Sequence, residues 1–161
     1  MIYQFYQRRV FPHLLNQVMQ TASLMDKRRE LLLPIEGEVL EIGFGTGLNI
    51  PFYGNVDVLY ALEPNPDIYH LAIERVQHAP FHVRHVQSHA EKLPFADQSL
   101  DHIVCTWTLC SIARLDQALA EIYRVLKPTG TLHLVEHVKH PNSVKIQSLQ
   151  TLLTPIQKRI G

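Results

Sequence analysis

Val39-Leu40-Glu41-Ile42-Gly43-Phe44-Gly45-Thr46-Gly47 is the stretch that decides the fold of this chain. An apolar strand runs into three glycines at alternate positions and then into a helix start. Glycine there permits positive φ and removes the Cβ, so a ligand can lie against bare main chain. The helix start adds free N–H donors and a field that favours a carboxylate. In open parallel sheets, ligands sit beyond the C-terminal ends of the strands, where this loop falls.

Spacing narrows the ligand. A dinucleotide fingerprint needs G-x-G-x-x-G. Counted from Gly43 the last position is Leu48, and from Gly45 it is Ile50, so both registers fail. The loop lacks the glycine that lets a helix start close under a pyrophosphate, and an acid, Glu41, stands just before it. That pattern suits a ligand with a cationic sulfonium and an amino group better than one with two phosphates. A glycine-rich turn without a ligand is the plain alternative. Twenty residues beyond Gly43, Glu63 ends the next strand in Leu62-Glu63-Pro64-Asn65. An acid at this point can accept two hydrogen bonds from ribose hydroxyls. Alone it would be a solvated strand-end carboxylate, and it does not separate NAD from S-adenosylmethionine, which share that ribose.

Outward from the loop, strands alternate with helices. The pattern predicts strands over Glu38–Ile42, Asp57–Glu63, His82–Gln87, Leu100–Trp107 and Thr131–Val138. Between them it predicts a short helix over Gly47–Tyr53, a helix over Pro66–His78 with proline in its first turn, and an amphipathic helix over Arg114–Leu126. Lys127-Pro128-Thr129-Gly130 reads as a stop and turn. Residues 2–33 read as helical, with Pro12 starting a second piece and Asp26 capping a last turn that Pro34 ends. Ser143–Arg159 also reads as helical, interrupted by Pro155. Strands separated by helices imply right-handed crossovers and a parallel sheet covered on both faces. The expected fold is an α/β doubly wound sheet in one domain, with a helical cap (1–34), a core (35–138) and a C-terminal helix (139–161).

Bulk composition excludes several classes. The 161 residues fit one domain, and 46% hydrophobic content suffices for a single core. Lys+Arg and Asp+Glu both number 15, a balance that gives no electrostatic reason to expect nucleic acid, whose footprint would be a clustered basic surface. Cys105 and Cys110, five apart, fit neither a metal site nor a disulfide framework and read as reduced thiols. No stretch approaches the ~18 apolar residues of a membrane span, and no signal peptide is recognisable, so a cytoplasmic protein is expected. The histidines give no metal site. His82 and His85 point to opposite faces of a strand, and His133 and His137 are too far apart to share an ion (about 13 Å).

The motifs together resemble the class I S-adenosylmethionine-dependent methyltransferases from Glu38 to Val138. Val39–Gly47 is similar to that family's first motif and Ala61-Leu62-Glu63-Pro64-Asn65 to its acidic second. Ala90-Glu91-Lys92-Leu93-Pro94-Phe95-Ala96-Asp97-Gln98-Ser99-Leu100-Asp101 resembles the segment leading into the fourth strand. Arg124-Val125-Leu126-Lys127-Pro128-Thr129-Gly130-Thr131 resembles the turn before the fifth. Cys105-Thr106-Trp107-Thr108-Leu109-Cys110-Ser111 and Glu136-His137-Val138 look most like the small-molecule branch that includes thiol methyltransferases. The membrane-anchoring N-terminal segment of the animal thiol enzymes is not recognisable.

The resemblance implies a Rossmann-like sheet in order 3-2-1-4-5 and S-adenosylmethionine as cofactor, with S-adenosylhomocysteine as product. It implies that Gly43, Gly45, Thr46 and Gly47 wrap the methionine part, with Glu41 near its ammonium. Glu63 would hold the ribose, Pro64 and Asn65 would edge the adenine, and Ala90 and Glu91 would meet it from the other side. His89 stands where many relatives carry an acid or a small polar residue. Cys105 and Thr106 would lie near the sulfonium methyl. The residues after Val138 read as one helix, so the usual sixth and seventh strands are not expected there, which would leave the fifth strand as an open edge that a second copy of the chain could cover.

For catalysis, holding nucleophile and methyl at near-attack distance can supply about 7–11 kcal/mol. A base is required only if the acceptor is neutral at working pH. His137 is the candidate base, with a strand-end histidine satisfied by backbone as its alternative. Tyr3, Tyr6 and Trp107 are candidates to line a substrate pocket, or are ordinary core. The expected function is methyl transfer to a small molecule such as a thiol, a phenol or a lipid-like acceptor. A non-catalytic cofactor-binding module and, behind it, a nicotinamide-dependent oxidoreductase are the alternatives.

Overall fold

The structure is a computed structural model, and it describes residues 20–136. Tyr3, Tyr6 and His137, most of the expected cap, the expected C-terminal helix and the question of a sixth and seventh strand all lie outside the described residues.

The described chain is built on five strands: β1 (Glu36–Ile42), β2 (Asn55–Leu62), β3 (His82–Val86), β4 (Leu100–Thr106) and β5 (Leu126–Val135). Their order is β3-β2-β1-β4-β5, and every pairing is parallel. Strand and order agree with the sequence reading. Alternation along the strands divides the core into two layers, because successive side chains point to opposite faces. Val39, Leu59, Ala61 and Val104 join Leu32, Ile35, Phe52 and Ala72 on one face. Leu40, Ile42, Ile103 and Cys105 join Ala118, Ile122 and Val125 on the other. Each large aliphatic side chain so buried contributes about 1.5–3 kcal/mol.

The helices are α1 (Ala22–Leu32), α2 (Pro66–His70), α3 (Ile73–Gln77) and α4 (Leu115–Val125), with one-turn 3-10 segments η1 (Ile50–Phe52) and η2 (Leu109–Ser111). In α4, Ala118, Ile122 and Val125 fall at helical spacing and are the buried residues, which lays that face on the sheet.

Several local expectations are corrected. The last turn of the cap is not capped by Asp26; the helix begins at Ala22, with Thr21 in the N-cap position. The expected helix over Gly47–Tyr53 shrinks to η1, since Gly47 is left-handed (φ +75°) and Pro51 offers no N–H. The helix expected over Pro66–His78 is two short pieces. At the break, Leu71 and Ala72 donate to the carbonyls of Ile68 and Tyr69, three residues back, which tightens the turn and ends the α ladder. Trp107 does not extend β4: its φ of +54° turns the chain out of the strand. Lys127–Gly130 is no turn between elements either. β5 starts at Leu126, directly after α4, and pairs Leu126 with Leu100, then Thr131 with His102. The four residues between bulge opposite Asp101, whose carboxylate accepts from Lys127 Nζ at 2.7 Å.

Candidate functional site

The glycine loop leaves β1 at the C-terminal edge of the sheet and is tied down at once. The amides of Gly43 and Phe44 both donate to Leu62 O at 3.1 Å, at the end of β2. Gly43, Gly45 and Gly47 all have positive φ (73°, 59° and 75°). At Gly43 the reason for glycine is contact, since a Cβ there would run into the Thr108 side chain, 2.7 Å from its Cβ. Gly45 is the opposite case. A Cβ there would meet only Gly43 O, at 3.8 Å, and otherwise open space. Bare main chain therefore faces an open cradle at residue 45.

Glu63 faces that cradle. Its Oε2 accepts from the Gly45 amide at 3.0 Å, and its Oε1 accepts from the Asn65 amide at 2.9 Å. The side chain is mostly buried. Burial pushes its carboxyl up from the usual range, against the pull of those two amides and of the His85 and His89 charges. Asn65 goes on to cap α2 by accepting from Asp67 N at 2.9 Å. Below, Tyr69 stacks flat on His85 at 3.6 Å between centroids, and His85 Nε2 lies 3.0 Å from Glu63 O. Arg75 fixes Thr46 by donating to its carbonyl at 2.9 Å.

The other expected residues divide into those at the loop and those behind it. Ala90 is buried in the α4-side core, and Glu91 Oε1 accepts from Arg114 N at 3.2 Å, at the start of α4. The Cys105 thiol is sealed in that same core, so a contact from this position comes from its main chain. Glu41 is fully buried beneath the loop; its oxygens accept from Asn49 Nδ2 at 3.0 Å and from the Tyr53 hydroxyl at 2.7 Å. Thr106 Oγ1 accepts from the same Asn49 at 3.1 Å. Trp107 lies under Arg28, whose guanidinium carbon is 4.6 Å from the ring centroid.

Sequence reasoning missed residues that support the glycine loop and the turn after β4 from behind. Arg28 and Asn49 belong to the polar group under the loop. Glu136 accepts from the amides of both Thr108 and Leu109 at 2.8 Å, and so sets the turn after β4 that presses Thr108 on Gly43. In the sequence Glu136 stands out only within the Glu136-His137-Val138 segment, with no role of its own.

Residues 40–134 match a protein family described as "Methyltransferase domain". The chain belongs to the class I S-adenosylmethionine-dependent methyltransferases. It is 32% identical to the thiol S-methyltransferase TMT1B of Rattus norvegicus over 94% of this chain and 67% of that protein. Among solved structures it is similar to YcgJ of Bacillus subtilis (28% identity, TM-score 0.66, 86% of this chain and 58% of that one). A Bacillus halodurans protein shares the fold (24% identity, TM-score 0.69, covering 86% and 61%). The chain thus spans about two thirds of the curated relative's length. Membership sets aside the nicotinamide alternative and makes S-adenosylmethionine the cofactor by family. No helix among the described residues is long and apolar enough to cross a membrane.

Proposed function

We propose that this methyltransferase moves a methyl group from S-adenosylmethionine to a small-molecule acceptor, in the first instance a thiol, with phenols and lipid-like molecules behind it. One observation carries the reading: the Glu63 carboxylate and the open main chain at Gly45 face each other across 3.0 Å. An ionised carboxylate has about four acceptor sites, two on each oxygen. The amides of Gly45 and Asn65 take one on each oxygen. One site per oxygen remains, which matches two ribose hydroxyls.

In this reading the main chain of Gly43, Gly45, Thr46 and Gly47 holds the methionine part, while Pro64, Asn65, Ala90 and Glu91 edge the adenine. Cys105 and Thr106, at the end of β4, bound the place where the methyl lies. When bound, the cofactor supplies a methyl activated by positive sulfur. The protein's own task is to orient, exclude water and remove a proton where the acceptor is neutral. His137, next to Glu136, is the proposed base, and Tyr3, Tyr6 and Trp107 are the proposed pocket lining. The name of the rat relative supports a thiol acceptor. The reading keeps the protein in the cytoplasm, where the exposed Cys110 thiol stays free. It sets a second copy against the β5 edge, which light scattering checks as a dimer mass.

The test is methyl transfer to a panel of thiols, phenols and amines, followed as S-adenosylhomocysteine formed. Turnover with a thiol, abolished in Glu63→Ala, is the expected result. Cofactor binding with no transfer to any acceptor would reduce the protein to a binding module.

A further inference from the structure

Glu63 stands one residue beyond the β2–β3 ladder, whose last pair is Leu62 with Val86. Its amide still donates to Val86 O at 3.2 Å. The next rung of a parallel ladder would bring the Ser88 amide to Glu63 O. Ser88 donates instead to Val86 O, at 3.0 Å, so main chain does not make that rung. An imidazole fills the place. His85 pairs in register with Ala61, and its ring reaches forward along the strand until Nε2 lies 3.0 Å from Glu63 O. A carbonyl oxygen only accepts, so Nε2 carries the hydrogen and donates it.

The ring is itself held from behind. Tyr69, in α2, lies flat on it at 3.6 Å between centroids, with 6° between the planes. Tyr69 in turn meets the Phe44 ring at 5.8 Å. Phe44 precedes Gly45, whose amide donates to Glu63 Oε2 at 3.0 Å. These contacts close a circuit through the glycine loop, α2, β3 and the end of β2. Inside it every polar group of Glu63 has a partner, since the Asn65 amide donates to Oε1 at 2.9 Å. The bonds at the carboxylate fix where its remaining acceptor sites point, and the bonds at the main chain fix where the side chain starts. A site ordered before its ligand arrives gives up less freedom on binding.

We propose that His85 is a positioning residue for cofactor binding: its Nε2–H, backed by the Tyr69 ring, stands in for the missing rung and holds the Glu63 main chain so that the carboxylate meets the ribose hydroxyls. The inference rests on the reading of Glu63 as the ribose acceptor. His85 acts through Glu63 and through nothing else at the cradle, so its effect on affinity exists only while that carboxylate is present. A histidine that merely packs would change stability, and its effect on affinity would not depend on the Glu63 side chain.

A double-mutant cycle on the full chain, read by calorimetric titration with S-adenosylhomocysteine, tests this. His85→Phe keeps a ring against Tyr69 and removes the N–H, whereas His85→Gln removes the ring and keeps a side-chain N–H donor. The expected loss of affinity in His85→Phe is roughly three- to tenfold, the worth of one neutral hydrogen bond. His85→Gln should fall between that variant and the unmodified chain. Added to Glu63→Ala, His85→Phe should cost no further affinity. Three results overturn the proposal: unchanged affinity in His85→Phe, His85→Gln no better than His85→Phe, or the same fold loss with and without the Glu63 carboxylate. If His85→Phe does not fold, Tyr69→Leu takes its place in the cycle, and its loss of affinity should likewise vanish in Glu63→Ala. A weakly binding Glu63→Ala with an undiminished His85 effect sinks this inference alone; a Glu63→Ala that binds as tightly as the unmodified chain sinks the ribose reading as well.

Discussion

Glu41 and Glu121 are both glutamates held near an arginine, one behind the glycine loop and one beside the segment that follows Ala90 and Glu91. They titrate in opposite directions. Glu121 takes two bonds from Arg124, at 2.7 Å from Nε and 2.7 Å from Nη2, and one from Leu93 N at 2.8 Å. Those bonds, Arg124 first, pull its carboxyl down to about 2. Arg124 also holds the carbonyls of Leu93 and Phe95, at 3.0 Å and 2.8 Å, so the pair clamps that segment onto α4. At Glu41 an amide, Asn49, stands between acid and guanidinium, and burial outweighs everything else. A direct two-pronged contact near the surface holds a carboxyl down, whereas with an interposed amide in a dry core the cost of burial decides the direction.

Removing the interposed amide breaks the comparison most severely. Asn49→Leu strands Arg28 and Glu41 without their shared partner, and a loss of roughly 3–5 kcal/mol is expected by denaturant unfolding, the scale for breaking a buried charged network. The pH dependence is next in size. Glu41 has a folded value above its unfolded one, so its contribution is fully present below about 4.5 and is lost as pH rises through about 8. Relative to Glu41→Gln, the ligand-free chain should therefore lose a few kcal/mol between those limits, on the order of 1.4 kcal/mol for each pH unit crossed. Glu121 runs the other way. Its value is depressed, so relative to Glu121→Gln its contribution is present above about 4.5 and is lost as pH falls toward about 2. Paired thermal melts across pH 3–9 read both slopes. Two slopes of the same sign would end the distinction.

The frame of this site was legible in the sequence and its supports were not. Apolar runs ending in Gly43 and in Glu63 fix strands and loop because strand burial and left-handed glycine are local properties. The polar group behind the loop depends on pairs far apart in the chain: Arg28 with Asn49 is 21 residues distant, and Asn49 with Thr106 is 57. Asn49 carries no local sign of its role, and Arg28 lies in a stretch that reads as an ordinary charged helix. Misread boundaries have the same origin. The bulge at Lys127–Gly130 follows from pairing with Asp101 across β4, a contact no turn signal encodes.

The smallest stability effect sharpens the contrast between packing and binding within the loop itself. Gly45→Ala adds a methyl to open space, at a backbone cost of about 1–2 kcal/mol for the left-handed conformation. Thermal stability should fall only slightly while S-adenosylhomocysteine affinity drops severalfold. Gly43→Ala, which meets Thr108, should unfold the loop instead.

The most direct measurement is calorimetric titration of S-adenosylhomocysteine into the unmodified chain and into Glu63→Ala. Loss of two hydrogen bonds to a charged group predicts weaker binding by roughly a hundredfold or more, with the thermal transition retained. Equal affinity in the two proteins would contradict the claim that Glu63 and the glycine loop together hold the cofactor.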